Sequence, residues 1–338
     1  MLNEKEIITL ISRELPSGPG RISGVGTHDA EVCAFNGDRL LFSTDEFSAE
    51  DRFPADDPFT LGWNIAAGAI SDIVATGGIP RYFSHALTVD DRWNTTFCTR
   101  FSRGIRKVLE HYGTTFIGGD IGRSNAWRCT TSVIGIPSDR IVGRAGAAAG
   151  DHLFVTGSIG GGNFNAAIDL YSDRLPGPVP RLGTIRFHLH AAGIPIVSQW
   201  ATACIDTSDG LCNALLTIAD MNRTGFYIDR IPLLQRGVAL AKVLRVPEAL
   251  LYFGECGEYE LLFAVPERRV KDLLAEARRV HYPVRRIGRV TAAHEGRMLP
   301  VGGRMIDADT FTLRARDFSD TATYLGAMRQ WITTVEKG

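Results

Sequence analysis

Four aspartates that are far apart in the chain share one local pattern, so distant segments must meet if the four serve one site. Each lies in a short frame of Ser, Thr or Gly beside an apolar run, and we expect each where a strand gives way to a turn or helix. Any one frame is also typical of a helix N-cap or an Asx turn. Four together predict a metal–phosphate site, because Mg²⁺ prefers carboxylates, waters and phosphates. The frames are Ser43-Thr44-Asp45, Ser71-Asp72-Ile73, Gly118-Gly119-Asp120 and Asp206-Thr207-Ser208-Asp209-Gly210.

The composition is that of a globular protein without an electrostatic preference for polyanions. A chain of 338 residues, 44% hydrophobic and 22% charged, is long enough for two domains. Its formal net charge of −1 argues against nucleic acid or an acidic membrane as a partner. The six cysteines show neither CxxC nor zinc spacing, which favours reduced thiols in a cytoplasmic protein. No signal peptide or membrane-spanning segment is expected, since charged residues and glycines interrupt the apolar tracts.

The first part of the chain predicts an α+β sandwich. Asn36-Gly37 marks a tight hairpin between two strands, and a hairpin places Asp29 and Asp45 at the same end. Helical spacing predicts a buried helix over 60–76 and an amphipathic helix over 95–111. Strands are predicted over 30–35, 39–43, 82–89, 114–117 and 129–136.

A small-residue segment at 143–151 predicts the division into domains of residues 1–142 and 143–338. The second domain is expected to be an α/β unit. Its predicted elements are a strand over 152–156, a helix over 164–170, a helix opened by Asp209, and a strand over 259–265.

Several other signals remain open. The glycine run 157–162 suits either a phosphate cradle or a structural turn, and its spacing matches neither a P-loop nor a dinucleotide fingerprint. Arg144 either reaches phosphate or is a solvent-exposed arginine at the domain joint. Strand alternation predicts that at least one of Glu255, Glu258 and Glu260 faces solvent. The scattered histidines are expected at the surface or at caps, with His28 notable because it adjoins Asp29.

Taken together, these motifs resemble the superfamily of aminoimidazole ribonucleotide synthetase, selenophosphate synthetase, the hydrogenase-maturation dehydratase and thiamine-monophosphate kinase. The resemblance is greatest to the thiamine-monophosphate kinases and covers residues 20–265. The matching segments are 71–81, Gly118-Gly119-Asp120, Pro178-Val179-Pro180-Arg181 and 205–211.

The resemblance implies a two-domain α+β and α/β fold, a homodimer whose N-terminal domains pair sheet to sheet, and a cleft for ATP and several Mg²⁺ ions. It implies that Asp72, Asp120 and Asp209 are catalytic and that Arg52, Glu258 and Tyr259 face a small phosphorylated or anionic acceptor. The implied nucleotide contacts are Gly119, Asp120, Arg144 and Ser208. The implied metal ligands are Asp29, Thr44, Asp45, Asp72, Asp120 and Asp209.

Three departures from the kinase pattern leave more than one acceptor substrate compatible with the sequence. His28 replaces one of two adjacent acids, Arg52 stands where a histidine is usual, and Cys256 changes a third motif. The expected activity is Mg²⁺-dependent phosphorylation of thiamine monophosphate by ATP. The alternatives are an ATP-dependent cyclase resembling aminoimidazole ribonucleotide synthetase, or a nucleotide-binding paralogue with altered catalysis. The reactive terminal cysteine of the hydrogenase-maturation relatives and the N-terminal Cys or selenocysteine of the selenophosphate synthetases are not found, which disfavours those activities.

Overall fold

The computed structural model describes residues 4–15, 18–51, 53, 57–171 and 183–337. The first part of the chain forms a five-stranded sheet, preceded by helix α1 (Glu4–Glu14). Its strands are β1 (Glu31–Phe35), β2 (Asp38–Ser48), β3 (Gly78–Asp90), β4 (Thr115–Ser124) and β5 (Arg128–Pro137). They are ordered β1-β2-β5-β3-β4, so β4 is an edge strand that pairs in parallel with β3.

The predicted hairpin forms as expected. Asn36 and Gly37 adopt left-handed backbone angles, with φ of 50° and 87°, which suit a tight turn between twisted strands. Glu31 pairs with Phe42, so Asp29 lies across the hairpin from the residues next to Asp45. Strand β2 continues to Ser48, however, and Asp45 therefore lies inside the strand rather than after it.

Two helices, α2 (Pro58–Ala75) and α3 (Thr95–Tyr112), pack against each other beside this sheet. Asp57 caps α2 by accepting a hydrogen bond from the backbone N–H of Phe59. Two glycines allow the helices to cross closely. A Cβ at Gly62 would lie 2.1 Å from the Phe101 carbonyl oxygen, and one at Gly104 would lie 2.1 Å from the Phe59 carbonyl oxygen.

The second part of the chain forms a seven-stranded sheet ordered β12-β11-β8-β10-β6-β9-β7. Its strands are β6 (His152–Thr156), β7 (Ala203–Asp206), β8 (Thr224–Ile228), β9 (Leu261–Val265), β10 (Val284–Ala292), β11 (Arg297–Val301) and β12 (Arg304–Asp307). Its helices are α4 (Gly161–Leu170), α5 (Gly193–Trp200), α6 (Gly210–Asn222), α7 (Gln235–Leu244), α8 (Leu250–Phe253), α9 (Glu267–Arg279) and α10 (Thr321–Lys337). The four elements predicted here are present, and the expected mixed α and β architecture is confirmed.

Helix α2 lies between the two sheets and contacts both of them. It packs against β2, β3 and β5 of the first sheet and against β7 of the second. One hydrophobic cluster accordingly includes Ile70 and Ile73 of α2 together with Phe154 and Phe263 of the second sheet. The predicted domain division at residue 142 falls in the segment that joins the sheets and stays a prediction. Among the described residues, none of the helices combines the length and apolar content that crossing a bilayer requires.

We expect Gly104→Ala to destabilise the protein because the new methyl group would force α2 and α3 apart. The free energy of unfolding should fall by about 1–3 kcal/mol in urea denaturation. Gly326→Ala in α10 is the matched control, since its Cβ would meet nothing within 4 Å. That variant should gain roughly 0.5–1 kcal/mol from a less flexible unfolded chain. Equal effects of the two substitutions would contradict the close crossing.

Candidate active site

Four buried or half-buried aspartates converge where α2 faces the end of β7. Asp29 precedes β1, Asp45 lies in β2, Asp72 lies in α2 and Asp206 ends β7. Carboxylate oxygens of Asp29, Asp72 and Asp206 all lie within 4.8 Å of one another. We call these four residues the carboxylate cluster. Both sheets and the helix between them contribute to it, so the whole fold is needed to assemble it.

Asp29 connects the cluster to the backbone of the second sheet and to one arginine. Arg144 Nε donates to Asp29 Oδ1 at 2.6 Å, and the Asp206 backbone N–H donates to Asp29 Oδ2 at 2.8 Å. The Arg144 Nη1 group also donates to the Gly26 carbonyl at 3.3 Å. Arg144 is therefore oriented by fixed acceptors beside the carboxylates, rather than being a freely solvated arginine.

Serine hydroxyls hold two further carboxylates. Ser43 Oγ donates to Asp72 Oδ2 at 2.5 Å and lies 3.4 Å from Asp45 Oδ2. Ser71 Oγ donates to Asp206 Oδ2. The serines that precede Asp45 and Asp72 in the sequence therefore orient carboxylates across the cluster rather than capping a helix.

Burial and mutual repulsion raise the pKa values of Asp29, Asp45 and Asp72. Burial, opposed by Arg144 and reinforced by Asp206, raises the pKa of Asp29 to about 6. Burial and the charge of Asp206 raise the pKa of Asp45 to about 7. Burial and the neighbouring aspartates raise the pKa of Asp72 well above its ordinary value. Such an all-oxygen, like-charged donor set fits a hard divalent cation, which would relieve the repulsion.

The cluster forms one end of a cavity of about 790 Å³. Asp45, Asp72, Asp206 and Arg144 line this end. The remainder of the wall is largely apolar and comes from α4, α7, α8 and α10; it includes Leu240, Leu244, Leu251, Tyr324 and Leu325. The cavity is therefore lined at one end by several carboxylates and an arginine, and its remaining volume can hold an organic group.

Asp209 and Ser208 lie beside the cluster, at the cavity wall. Asp209 occupies the N-cap position of α6 but makes no side-chain cap hydrogen bond, and burial followed by the charge of Asp206 raises its pKa. Ser208 donates to Asp206 Oδ1 from both its hydroxyl, at 2.6 Å, and its backbone N–H, at 3.1 Å. Sequence reasoning proposed Asp209 and missed Asp206 as a cluster member. The available signal was its place as the last residue of the apolar strand 203–206.

The structure does not bring Thr44, Gly119 and Asp120 into the cluster. Thr44 alternates with Asp45 along β2, and its hydroxyl donates to the Thr131 carbonyl at 2.9 Å. Asp45 pairs with Thr131, Thr131 with His85, and His85 with Gly119. Three strand spacings therefore place Gly119 roughly 14 Å from Asp45 across the sheet.

The expected position at a strand end is wrong for Asp45 and Asp120, which lie inside strands. Asp72 lies in the helix predicted over 60–76, and Asp209 lies at the predicted strand-to-helix junction. Frames rich in Ser, Thr and Gly are typical of turns. Here the sheet ladder overrides that local preference.

The three predicted acceptor residues have different outcomes. Tyr259 lines the cavity, and its ring lies 5.2 Å from that of Phe187 and 6.3 Å from that of Phe47. Glu258 is buried behind the wall and faces the start of α4. Arg52 lies outside the described residues, as does the Pro178–Arg181 motif.

Glu258 also resolves the open question of the glycine run. Its Oε2 accepts hydrogen bonds from the backbone N–H groups of Gly160, at 2.7 Å, and Gly161, at 3.1 Å. The donors that could cradle a phosphate are thus occupied by a side chain of the protein, and the run is a structural turn. Glu258 and Glu260 are both buried, at 4% and 5% exposure, and of the three acids Glu255 is the one that is partly exposed to solvent. Residues 254–260 precede β9 and do not alternate as a strand.

The histidine prediction is wrong for His190, which is 2% exposed. It lies in an irregular segment before α5, so no helical spacing announced its burial. His28, beside Asp29, is half-buried, and this burial lowers its pKa.

Comparisons with known proteins agree with the motifs. The model for the AIR synthase related protein, N-terminal domain, matches residues 27–136, and that for the C-terminal domain matches residues 148–299. The thiamine-monophosphate kinase of Aquifex aeolicus is 28% identical over 90% of this chain and 96% of its own length. That of Halobacterium salinarum is 31% identical over 81% of this chain and 92% of its own length. The structure of AaThiL complexed with AMPPCP and TMP matches with a TM-score of 0.74 and 24% identity, over 90% of this chain and 95% of that chain.

We expect Asp72→Asn to stabilise the metal-free protein at pH 8 by about 1–2 kcal/mol and to abolish stabilisation by Mg²⁺. The pKa values of Asp29 and Asp45 are raised from 3.8 to about 6 and about 7. The stability that these carboxyls contribute is therefore complete below roughly pH 4 and is lost as the pH rises through 6 and 7. Removing the charge of Asp72 reduces this loss of stability at pH 8. The difference in unfolding free energy between Asp72→Asn and the wild-type protein should therefore shrink at pH 5.

Thermal unfolding in chelator and in Mg²⁺ measures both effects. Asp139→Asn is the control because Asp139 is exposed and lies outside the cluster. If Asp72→Asn still shows the Mg²⁺-dependent increase in thermal stability, Asp72 is not a ligand of the metal site.

Proposed function

Because this chain belongs to the AIR synthase related superfamily, and within it to the family of the thiamine-monophosphate kinases, we propose that it phosphorylates thiamine monophosphate. The γ-phosphoryl group of ATP would pass to the phosphate of the acceptor. A bond from the acceptor oxygen to phosphorus forms as the bond to the leaving ADP oxygen breaks. The products are thiamine diphosphate and ADP.

The observation that carries this proposal is the carboxylate cluster and Arg144 at one end of a cavity that also has apolar wall segments. Phosphoryl transfer asks the protein mainly to position the reactants and neutralise their charge. Mg²⁺ bound by Asp29, Asp45, Asp72 and Asp206 supplies positive charge beside the phosphates. Arg144, held by Asp29, presents a planar donor fork to phosphate oxygens.

The proposed roles of the remaining site residues follow from their positions. Asp209, at the cavity wall, would complete the metal shell, and Ser208, whose two donors hold Asp206, is proposed to lie beside the nucleotide phosphates. Gly119 and Asp120 on β4, together with Thr44 on the other side of β2, bind the more distant part of the metal–nucleotide complex. Gly119 and Asp120 are too far from the cluster to share one ion with it.

The acceptor assignment uses the apolar part of the cavity. Tyr259 and Phe47 present aromatic surface there, and the Phe53 ring lies 6.4 Å from that of Tyr259. Such a wall suits the flat heteroaromatic rings of thiamine. Glu258 supports this wall from behind, and Arg52 is proposed to meet the acceptor phosphate.

We expect purified protein with Mg-ATP to release ADP in a thiamine monophosphate-dependent manner, with thiamine diphosphate identified by mass. Asp206→Asn should lower kcat at least about 100-fold because a metal ligand is lost at the transferring phosphate. Asp139→Asn should retain wild-type turnover. Circular dichroism checks that each variant is folded.

Two results would contradict this proposal and favour one of the alternatives. Free inorganic phosphate together with a dehydrated or cyclised acceptor would indicate the ATP-dependent cyclase class. Stoichiometric Mg-ATP binding without turnover of thiamine monophosphate would indicate the nucleotide-binding paralogue.

The assembly we propose is a homodimer formed through the first sheet. Edge strand β4 exposes Phe116, Ile117 and Ile121, and strands β3 and β2 of the same sheet expose Tyr82 and Phe42. An exposed apolar edge strand favours association with another chain. We also propose a cytoplasmic location, where ATP is available and the six free cysteines stay reduced.

Ile121→Asp should convert the dimer to a monomer in light scattering coupled to gel filtration, because it introduces a charge on the exposed apolar edge. Ile121 is 64% exposed, so the monomer itself should fold normally. Val243→Asp is the control, since Val243 is 56% exposed on α7, away from this edge. A dimeric Ile121→Asp protein would exclude β4 from the interface.

A further inference from the structure

A second group of possible metal ligands lies apart from the carboxylate cluster. His188 and His190 belong to the irregular segment before α5, and Glu260 directly precedes β9. One ligand atom from each of these three side chains lies within 4.8 Å of the others. His190 and the Glu260 side chain are 2% and 7% exposed, while the His188 side chain is 38% exposed.

The distances in this group differ from those of ordinary charged hydrogen bonds. Glu260 Oε2 lies 3.7 Å from His188 Nδ1 and 3.6 Å from His190 Nε2. A charge-assisted N–H···O bond would be about 2.7–2.9 Å long. Two ligands of one tetrahedral zinc ion, each about 2.1 Å from the metal, lie about 3.4 Å apart. The observed separations are thus close to those of ligands that share an ion.

The surrounding residues orient the three side chains. His190 Nε2 donates to the Tyr259 carbonyl at 3.0 Å, and Nδ1 lies 2.6 Å from the Tyr282 hydroxyl. An ion at Nε2 would favour the tautomer with its proton on Nδ1, where the Tyr282 hydroxyl can accept it. Thr156 Oγ1 donates to Glu260 Oε2. The Tyr112 hydroxyl accepts from the His190 backbone N–H at 2.6 Å. A histidine ligand whose second nitrogen is held by a hydrogen bond is the usual arrangement at protein metal sites.

We propose that His188, His190 and Glu260 form a binding site for a zinc-class divalent ion, separate from the Mg²⁺ site. Two imidazoles and one carboxylate suit Zn²⁺ or Co²⁺, whereas Mg²⁺ prefers oxygen ligands. The Tyr259 carbonyl oxygen, 3.0 Å from His190 Nε2, or a water on the exposed His188 side is available for the fourth position. The partial exposure of His188 gives the ion a route into the site.

The position of the site defines what the ion does there. The Glu260 backbone N–H donates to Thr207 Oγ1 at 3.0 Å, and Thr207 follows Asp206 of the carboxylate cluster. An ion bound to His188, His190 and Glu260 ties the segment before α5 to the start of β9, directly behind the turn that carries Asp206 to Asp209. Its effect is on stability and on the positioning of this turn, since none of the three ligands lines the cavity.

The test is metal binding by the chelator-treated full-length protein at pH 8, in excess Mg²⁺ to occupy the carboxylate cluster. Titration with Co²⁺ should reach one ion per chain and give the visible absorption of a tetrahedral site. His188→Ala should weaken Co²⁺ binding at least tenfold and remove the rise in melting temperature that Zn²⁺ produces. His294→Ala is the matched control, because His294 is exposed at the other end of the sheet, between β10 and β11.

His190→Gln provides a second variant, and circular dichroism together with Mg-ATP binding verifies its fold. The proposal is overturned if wild-type protein binds no stoichiometric Co²⁺ or if His188→Ala binds as tightly as wild type. It is also overturned if intense near-ultraviolet bands show that thiolates ligate the ion. In any of those cases the three side chains form an ion pair without metal.

Discussion

The repulsion among the buried aspartates is the interaction on which the rest of the structure depends. A protein interior seldom holds several carboxylates together, since each loses hydration and repels the others. Here Arg144, two serine hydroxyls and one backbone N–H offset part of that cost. The remaining imbalance makes the site receptive to cations, and it raises the pKa values of Asp29, Asp45 and Asp72.

The fold surrounds this cluster from three directions. The hairpin β1–β2 supplies Asp29 and Asp45, α2 supplies Asp72, and β7 supplies Asp206. The close crossing of α2 and α3 keeps α2 at the first sheet, and the apolar contacts of α2 with β7 keep the second sheet opposite. The unfavourable free energy of bringing these charges together is therefore offset by hydrophobic packing elsewhere, rather than by local turns around each aspartate.

Sequence patterns predicted the elements well where periodicity was strong. The hairpin, α2, α3, β6 and α6 lie close to their predicted positions, and the motif resemblance led to the correct superfamily. Local composition failed where long-range pairing decided the outcome. The residues after Gly118 continue in β4 because β3 pairs with them, and Asp206 joins the cluster because β7 ends opposite α2. His190 was missed because an irregular segment has no period from which its burial can be inferred.

Helix α2 gives the two sheets a common wall, and this has a consequence for how the molecule responds to its ligands. A cation held by Asp29, Asp72 and Asp206 would contact both sheets and the helix between them, so its binding free energy would oppose separation of the halves of the chain. Occupancy of the site would thus be thermodynamically linked to the stability of the whole fold. Amide hydrogens along the whole of α2 should accordingly exchange more slowly when the site is occupied.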